Sequence, residues 1–286
     1  MSRLSILTLN AAIQDVRLFG RSVYCPVPHT RERLAALPDE LSAVDADIVC
    51  LQELFHPHLQ RLLHRHLRNV YPYASGFARP GPSLRLHSEF LVMSRYPLSA
   101  DRLHRFRAAP REERLFTCKG YHELSVAVPG LGAIDVLNVH ATAGGLHAHP
   151  QSPTMERIRA RQVHQVLVHS QRSRMAILAG DLNAGPHSST DIYAQVLDAG
   201  FTDAFAGAGG EGISWDPANP LVAGGRERHL PAQRIDHVFL SHSLAGKLRP
   251  VSAAIVLAGR SVETGTQRVP VSDHYGVLTV MDYEGS

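Results

Sequence analysis

Eight short apolar, β-branched runs punctuate the chain. They are LSILTL (4–9), DIVCLQ (47–52), EFLVMS (89–94), YHELSVAV (121–128), GAIDVLNVH (132–140), MAILAG (175–180), IDHVFL (235–240) and HYGVLTVM (274–281). Each reads as a strand. YHELSVAV alternates with period two, which predicts one covered and one less covered face. Helical stretches lie between some of the runs. Leu34, Leu37, Leu41 and Val44 form a stripe at 3–4 spacing, which Pro38 is expected to break or kink. Leu59, Leu62, Leu63 and Leu67 form a second stripe. Ile158, Val163, Val166 and Leu167 form a third, with Thr154 as N-cap and Glu156 in the first turn. Strands outnumber helices and many connections are of hairpin length. Two stacked sheets with helices outside fit this pattern better than a doubly wound parallel sheet.

The 286 residues contain no repeat, low-complexity tract or long linker. Three Gly/Pro-rich pieces, FARPGPS (77–83), HATAGGLHAHPQSP (140–153) and FAGAGGEG (205–212), read as loops inside one domain spanning 1–286. The apolar share of 44% suffices for a sizeable core. No run of eighteen apolar residues exists, so no membrane span is expected. The start, MSRLSILTLN, lacks the parts of a cleavable signal. The expectation is a cytoplasmic protein, or one exported without such a signal, working as a monomer.

Cys25, Cys50 and Cys118 show no CxxC spacing, which argues against a disulfide framework and a zinc site. Cys50 sits in an apolar run and reads as a core residue. The net charge of +3 suits an anionic substrate without demanding one. Arg102, Arg105, Arg107, Arg111 and Arg114 read as a solvated charged surface.

The informative fact is positional. Asn10 ends LSILTLN, Glu53 ends DIVCLQE and His140 ends VLNVH. Asp181 and Asn183 follow AILAG. Asp236 starts an apolar run, and Asp273 and His274 open the last one. Singly, each has an ordinary reading as a turn, surface or core residue. Glu53 is harder to explain, because a carboxylate directly after IVCLQ is costly unless paired or metal-bound. Together they favour a site. Carboxylate and amide oxygens without thiolates suit Mg²⁺, with Mn²⁺ as a substitute. Histidines beside such an ion can serve as acid, base or phosphate donor. This is equipment for phosphoester hydrolysis.

The segments LTLN, ADIVCLQE, LVMSRYPL, VLNVHATAGG, AILAGDLNAGP, RIDHVFL and SDHYGV, in that order from residue 7 to residue 277, resemble the endonuclease/exonuclease/phosphatase, or DNase I-like, superfamily. The resemblance implies a four-layer αββα sandwich, two mixed sheets flanked by helices, with the site at one edge of the sheets. It implies Glu53 as the main Mg²⁺ ligand with Asn10 close by. Asp181 and Asn183 would orient the attacking water or hold a second metal. His274 would pair with Asp236 as base or phosphate contact, Asp273 would support the metal or its water, and His140 would donate to the phosphate. LFTCKGYHELSV (115–126), with its Lys119-Gly120 pair, and ISWDPANPL (213–221) resemble the sphingomyelinase-like branch. Two departures stand out. Val139 and Ala141 flank His140 where the family shows Thr and Leu. VLAGRSVETGTQRVPV, before SDHYGV, lacks the aromatic residues that secreted bacterial sphingomyelinases insert into membranes.

The leading expectation is a Mg²⁺-dependent phosphodiesterase or phosphatase acting on a phospholipid headgroup or small organophosphate. Contact with a membrane surface stays open. A nuclease is the runner-up, and nucleic acid is the less favoured partner because aromatics make up only 6% of the chain. An inositol-phosphate phosphatase and a non-catalytic binding protein are further alternatives. Specificity is expected in the loops 76–88, 103–114, 141–153 and 206–231.

Overall fold

The computed structural model describes residues 1–18, 21–76, 89–116, 119–144, 149–223 and 225–285. The elements run in chain order as β1 (Ser2–Ile13), β2 (Val16–Leu18), β3 (Arg21–Tyr24), α1 (Thr30–Val44), β4 (Ile48–Leu54), α2 (Pro57–Leu67), β5 (Tyr73–Ser75), β6 (Leu91–Ser94), β7 (Leu98–Arg105) and α3 (Arg111–Phe116). They continue as β8 (Gly120–Val128), β9 (Gly132–His140), α4 (Pro153–Ser170), β10 (Ala176–Asp181), α5 (Thr190–Asp198), β11 (Phe201–Asp203), α6 (Ala204–Gly207), β12 (Asp236–Ser241), α7 (His242–Ala245) and β13 (Arg249–Val256). The last are β14 (Val262–Glu263), β15 (Arg268–Val269) and β16 (Gly276–Tyr283).

Two six-stranded mixed sheets form, in the orders β13-β16-β1-β4-β6-β5 and β11-β12-β10-β9-β8-β7. Each contains one parallel pair, β1 with β4 and β9 with β10. A parallel pair needs a long crossover, and the helices α1 and α4 lie in these two connections. Each pair therefore delivers two strand ends to the same edge of its sheet.

Period-two alternation sorts the side chains into layers. Ile6, Ile48, Cys50 and Val92 of the first sheet meet Leu124, Val136, Ile177 and Val238 of the second between the sheets. The alternate residues Leu7, Leu9, Val49 and Leu51 face outward onto Leu37, Leu41, Leu63 and Leu67 of α1 and α2. Leu137, Val139, Leu178 and Phe239 face outward onto Val163, Val166 and Ile192 of α4 and α5. The result is the four-layer αββα arrangement. All eight apolar runs become strands in it, and Cys50 is wholly buried. Among the described residues Cys25 and Cys50 are free thiols, and Cys118 lies outside them.

Several boundaries differ from the sequence reading. Helix α1 runs through Pro38. Proline removes one helical hydrogen bond, but burial of Leu37 and Leu41 against the sheet holds the turns on either side. Helix α4 is capped by Ser152, not Thr154, with Pro153 in the first turn. Proline is preorganised for that position, so the start moves upstream. Strand β1 does not end at Asn10 but continues to Ile13 past a register shift. Asp273 and His274 precede the last strand, which begins at Gly276. The segment 103–114 is not a loop throughout, since it contains the end of β7 and the start of α3. Most of the loop 76–88, with FARPGPS, and part of 141–153 lie outside the described residues. Arg102, Arg107, Arg111 and Arg114 are exposed, as expected of a solvated surface.

A buried ionic cluster braces the second sheet. Asp203 accepts hydrogen bonds from Arg234 Nη2 at 2.8 Å and Tyr193 Oη at 2.8 Å. It also caps α6 through the amides of Phe205 and Ala206. Burial alone would raise its pKa, but His237, Arg234 and Tyr193 hold it well below the usual carboxylate range. Removing one member strands the other charges, a loss of about 3–5 kcal/mol. Asp203→Ala should lower unfolding stability by that amount at pH 7 in urea titrations. A depressed carboxylate stabilises above its unfolded pKa of about 3.9 and loses that contribution as pH falls through its folded value. The gap between wild type and variant should therefore narrow in titrations below about pH 4.

Candidate active site

The two parallel pairs end side by side at one edge of the sandwich. Their registers place Asn10 opposite Gln52 and Asp181 opposite His140, and the antiparallel neighbour β12 places Asp236 opposite Asp181. Asn10, Glu53, Lys119, Asp181, Asp273 and His274 line one cavity of about 530 Å³ there. The backbone bends sharply to present them. Ala12, Glu53 and Asn183 all take φ near +50°, at 50°, 55° and 49°. Such left-handed non-glycine residues are costly and concentrate at functional sites.

Gly180 explains the first half of the GDLN motif. Its φ is +136°, and an added Cβ would stand 2.0 Å from the carbonyl oxygen of Val139. Glycine lets β10 approach β9 there, and that approach sets Asp181 beside His140.

The centre of the cleft is a chain of buried acids and imidazoles. His274 Nδ1 lies 2.9 Å from Asp236 Oδ2, and His274 Nε2 faces Asp181 Oδ2 at 3.9 Å. Burial would depress the imidazolium, but Asp236 and Asp181 outweigh it and raise the His274 pKa well above its ordinary value. Asp181 moves the other way. Burial opposes its ionisation, yet His274, His140 and the Asn10 amide bring its pKa below the usual value. Asn10 Nδ2 donates to Asp181 Oδ2 at 3.0 Å, and the Asn183 amide N–H donates to Asp181 Oδ1 at 2.8 Å.

His140 forms the second half. Its Nδ1 lies 3.0 Å from Glu89 Oε1. Its Nε2 lies 3.4 Å from Glu53 Oε1, 3.7 Å from Asp181 Oδ2 and 2.9 Å from Lys119 Nζ. Lys119 also donates to the carbonyl of Ala141 at 3.3 Å. Burial would neutralise this amine, but Glu113, Glu89 and Glu53 keep its pKa raised. Glu53 is raised mainly by burial, against the pull of His140 and Lys119. Gln14 donates to its other oxygen.

The structure gathers every residue singled out from the sequence, in differing geometry. Asp181, Asp236 and His274 offer ligand atoms within 4.8 Å of one another. Asn10 turns its amide nitrogen to Asp181 while its oxygen accepts the Ala12 amide at 3.1 Å, so it orients the carboxylate. Asn183 donates its side chain to Ala141 O at 3.0 Å. Asp273 lines the cavity, and its carbonyl accepts from Asn219 Nδ2 at 3.2 Å. The WDPANP segment thus has a local task. Trp215 bridges to His274, and Asn219 clamps the carbonyls of Ser272 and Asp273.

Sequence reading missed Glu89, Gln14 and Glu113. Glu89 heads EFLVMS, where, as at Glu53, a carboxylate joined to a covered strand needs a partner. Gln14 and Glu113 carry no comparable signal.

Fold and cleft together place the chain among four-layer sandwiches with an acid–imidazole centre at one edge. It belongs to the Endonuclease/Exonuclease/phosphatase family, whose profile matches residues 8–274. A Drosophila melanogaster protein described as a putative neutral sphingomyelinase is 28% identical over 220 residues, covering 73% of this chain. The chain spans about half of that relative, 48% of its length. Among solved structures, sphingomyelinase C from Streptomyces griseocarneus superposes with a TM-score of 0.79 at 21% identity, covering 99% of this chain and all of that one. A magnesium-bound beta toxin variant from Staphylococcus aureus gives 0.76 at 16% identity, covering 97% and 99%. TDP2 of D. rerio with a single-strand DNA product gives 0.68 at 19% identity, covering 99% and 100%. At these identities the structural likenesses concern the fold.

Asp236→Asn removes the nearest charge that favours the His274 imidazolium. Its pKa should fall, read by NMR titration of the His274 ring in metal-free protein. Gly180→Ala should destabilise the fold by more than the roughly 1 kcal/mol typical of a backbone-entropy change, because Val139 must move. Thermal unfolding reads that loss.

Proposed function

We propose that this chain is a Mg²⁺-dependent phosphoester hydrolase that prefers a small phosphodiester with a cationic headgroup, in the manner of a sphingomyelinase. One observation carries the reading. An ionised carboxylate, a carboxylate-held imidazole and a partly buried ammonium face the same cavity as Glu53.

The residues present fit a hard cation. Among the described residues, Asp236 Oδ1 and Glu89 Oε2 are buried without a hydrogen-bond partner. Glu53 and Asp273 line the same cavity as Asp181. So many buried acids are costly unless something positive joins them. The donors are oxygens, which suits Mg²⁺, with Mn²⁺ able to substitute. Glu53 would be the principal holder, with Asp181 and Asp273 beside it. When bound, the ion supplies charge stabilisation at a phosphoryl oxygen.

The chain's own groups divide the remaining work. Asp181, ionised and fixed by Asn10 and Asn183, orients the attacking water. Water adds to phosphorus and gives up a proton to Asp181, the bond to the leaving oxygen breaks, and that oxygen takes up a proton. His274, kept protonated by Asp236, is the donor placed to give it. Lys119 and His140 stand where they can donate to the non-bridging oxygens as charge builds there. The parts come from residues 10 to 274, which supports treating 1–286 as one catalytic domain.

The cavity size falls in the range of small-molecule sites. Its wall adds Glu112 and Glu227 to the central acids. A nucleic acid would need several phosphate contacts from Lys and Arg. Arg159 lines the wall, but its guanidinium is spent on the carbonyls of Thr142, Ala143 and Pro150. An acidic wall around one partly buried lysine favours a single phosphate with a positive headgroup. The β14–β15 hairpin packs Val262 and Val269 into the core and has no aromatic residue to insert into a bilayer. Among the described residues no helix is long and apolar enough to cross a membrane.

Hydrolysis of bis-p-nitrophenyl phosphate with Mg²⁺ should vanish on chelation and in Asp181→Ala. His274→Ala should lower kcat by about 10²–10⁴-fold, the usual worth of a general acid or base. Detergent-dispersed sphingomyelin should release choline phosphate. Metal-dependent plasmid nicking without choline phosphate release would overturn the headgroup assignment. Ester hydrolysis untouched by both chelation and Asp181→Ala would overturn the mechanism.

A further inference from the structure

A second cluster of ligating side chains lies outside the cleft, on the outer face of the second sheet beneath the end of α4. His104 comes from β7, Glu123 from β8 and His169 from the last turn of α4. Glu123 stands four residues beyond Lys119, about 13 Å along the strand at the usual rise. No group of the proposed reaction touches it.

Both imidazoles aim Nε2 at one carboxylate oxygen. His104 Nε2 is 2.7 Å and His169 Nε2 is 3.1 Å from Glu123 Oε2. The three ligand atoms lie within 4.8 Å of one another. His104 accounts for a hydrogen bond. His169 Nε2 is shielded from solvent and shares the same carboxylate oxygen. The rings are held in place. Tyr121 stacks on His104 at 4.7 Å between centroids with planes 12° apart, and packs against His169 at 5.3 Å.

We propose that His104, Glu123 and His169 form a Zn²⁺ site that clamps the C-terminal end of α4 to the β7–β8 edge of the sheet. Two imidazole nitrogens and one carboxylate oxygen suit Zn²⁺ better than Mg²⁺, which is held mainly through oxygen. Zinc bonds of about 2.0–2.2 Å in a tetrahedron set ligand atoms roughly 3.3–3.5 Å apart. The two imidazole–carboxylate distances, 2.7 and 3.1 Å, lie a few tenths of an ångström below this, and the two imidazole nitrogens are within 4.8 Å of each other. The side chains are 27%, 20% and 13% exposed for His104, Glu123 and His169, so the cluster lies near the surface. Arg107 and Arg172 act on the neighbouring Tyr121. A single carboxylate among such positive charge is a poor seat for an ion bound by charge alone. The absence of cysteine pairs, which argued against zinc, has no bearing on a histidine–carboxylate site.

The test titrates the metal-stripped full chain with Zn²⁺ against a competing chromophoric chelator. Glu53→Ala/Asp181→Ala serves as the background, so that the cleft does not compete. One equivalent of Zn²⁺ should bind, and its K-edge spectrum should show two imidazoles. Adding His104→Gln and His169→Gln should remove that equivalent and abolish the rise in melting temperature that Zn²⁺ produces in the background protein. Glu123→Gln alone should weaken binding at least tenfold. In an otherwise wild-type chain, His104→Gln/His169→Gln should keep its Mg²⁺-dependent ester hydrolysis, which also checks its folding. Equal Zn²⁺ stoichiometry with and without the two histidines, or a bound zinc lacking imidazole ligands, would overturn the proposal.

Discussion

The hydrogen bond from Asn10 to Asp181 joins the two sheets at the point where the chemistry is gathered. It belongs to a polar seam in an otherwise apolar interior. Gln52 donates to Asn138 at 2.6 Å and to Thr8 at 3.0 Å, and Asn138 donates back to the Leu51 carbonyl at 3.0 Å. Apolar packing alone tolerates small slips between facing sheets. A buried amide does not, because a one-residue slip leaves both partners unpaired at a cost of about 1–3 kcal/mol each. The seam therefore fixes how the sheets face each other. The distance from His140 to Glu53 depends on that setting, since Glu53 belongs to one sheet and His140 to the other.

Local backbone strain refines what the seam sets coarsely. The bulge after Asn10, the left-handed turn at Glu53 and the left-handed Asn183 all lie within a few residues of a strand end. Without its turn, Glu53 would follow the alternation of IVCLQ and face the α1–α2 layer. The residues around the cleft that touch no ligand serve the same end. Arg33 is fully buried, and its guanidinium donates to the carbonyls of Ala11, Ala12 and Val271, which ties α1 to the ends of two segments that feed the site. Asn219 holds the turn before His274 in a similar way.

These layers differ in how far the sequence discloses them. The strands were legible because covered strands read as continuous apolar runs and half-covered ones alternate. Glu53, Asp181 and His274 were legible because a charged or imidazole group directly beside such a run needs a physical reason to be there. Glu89 stood under the same logic but at the start of its run, where a polar residue is less conspicuous. The pairings were not legible. Nothing in the order of residues says that Asn10 turns its nitrogen to Asp181, or that His140 takes Glu89 as its partner 51 positions away. Pro38 and Ser152 show a different limit: packing carried one helix through a residue that disfavours it, and a proline moved the start of another. The His104–Glu123–His169 cluster is drawn from two strands and a helix, and local sequence gives no sign of it.

The interleaving of the two sheets along the chain has a kinetic consequence. The cleft takes Asn10 and Glu53 from early segments, His140 to Asp236 from the middle and His274 from a late one. Its key hydrogen bond closes a separation of 171 residues. Contacts of such span form slowly, after local ones. A partly folded chain with either sheet alone, however much secondary structure it shows, holds only fragments of the cleft. Competence at the site is therefore a late milestone of assembly and an early casualty of its loss, so it reports on the union of the two halves when circular dichroism does not.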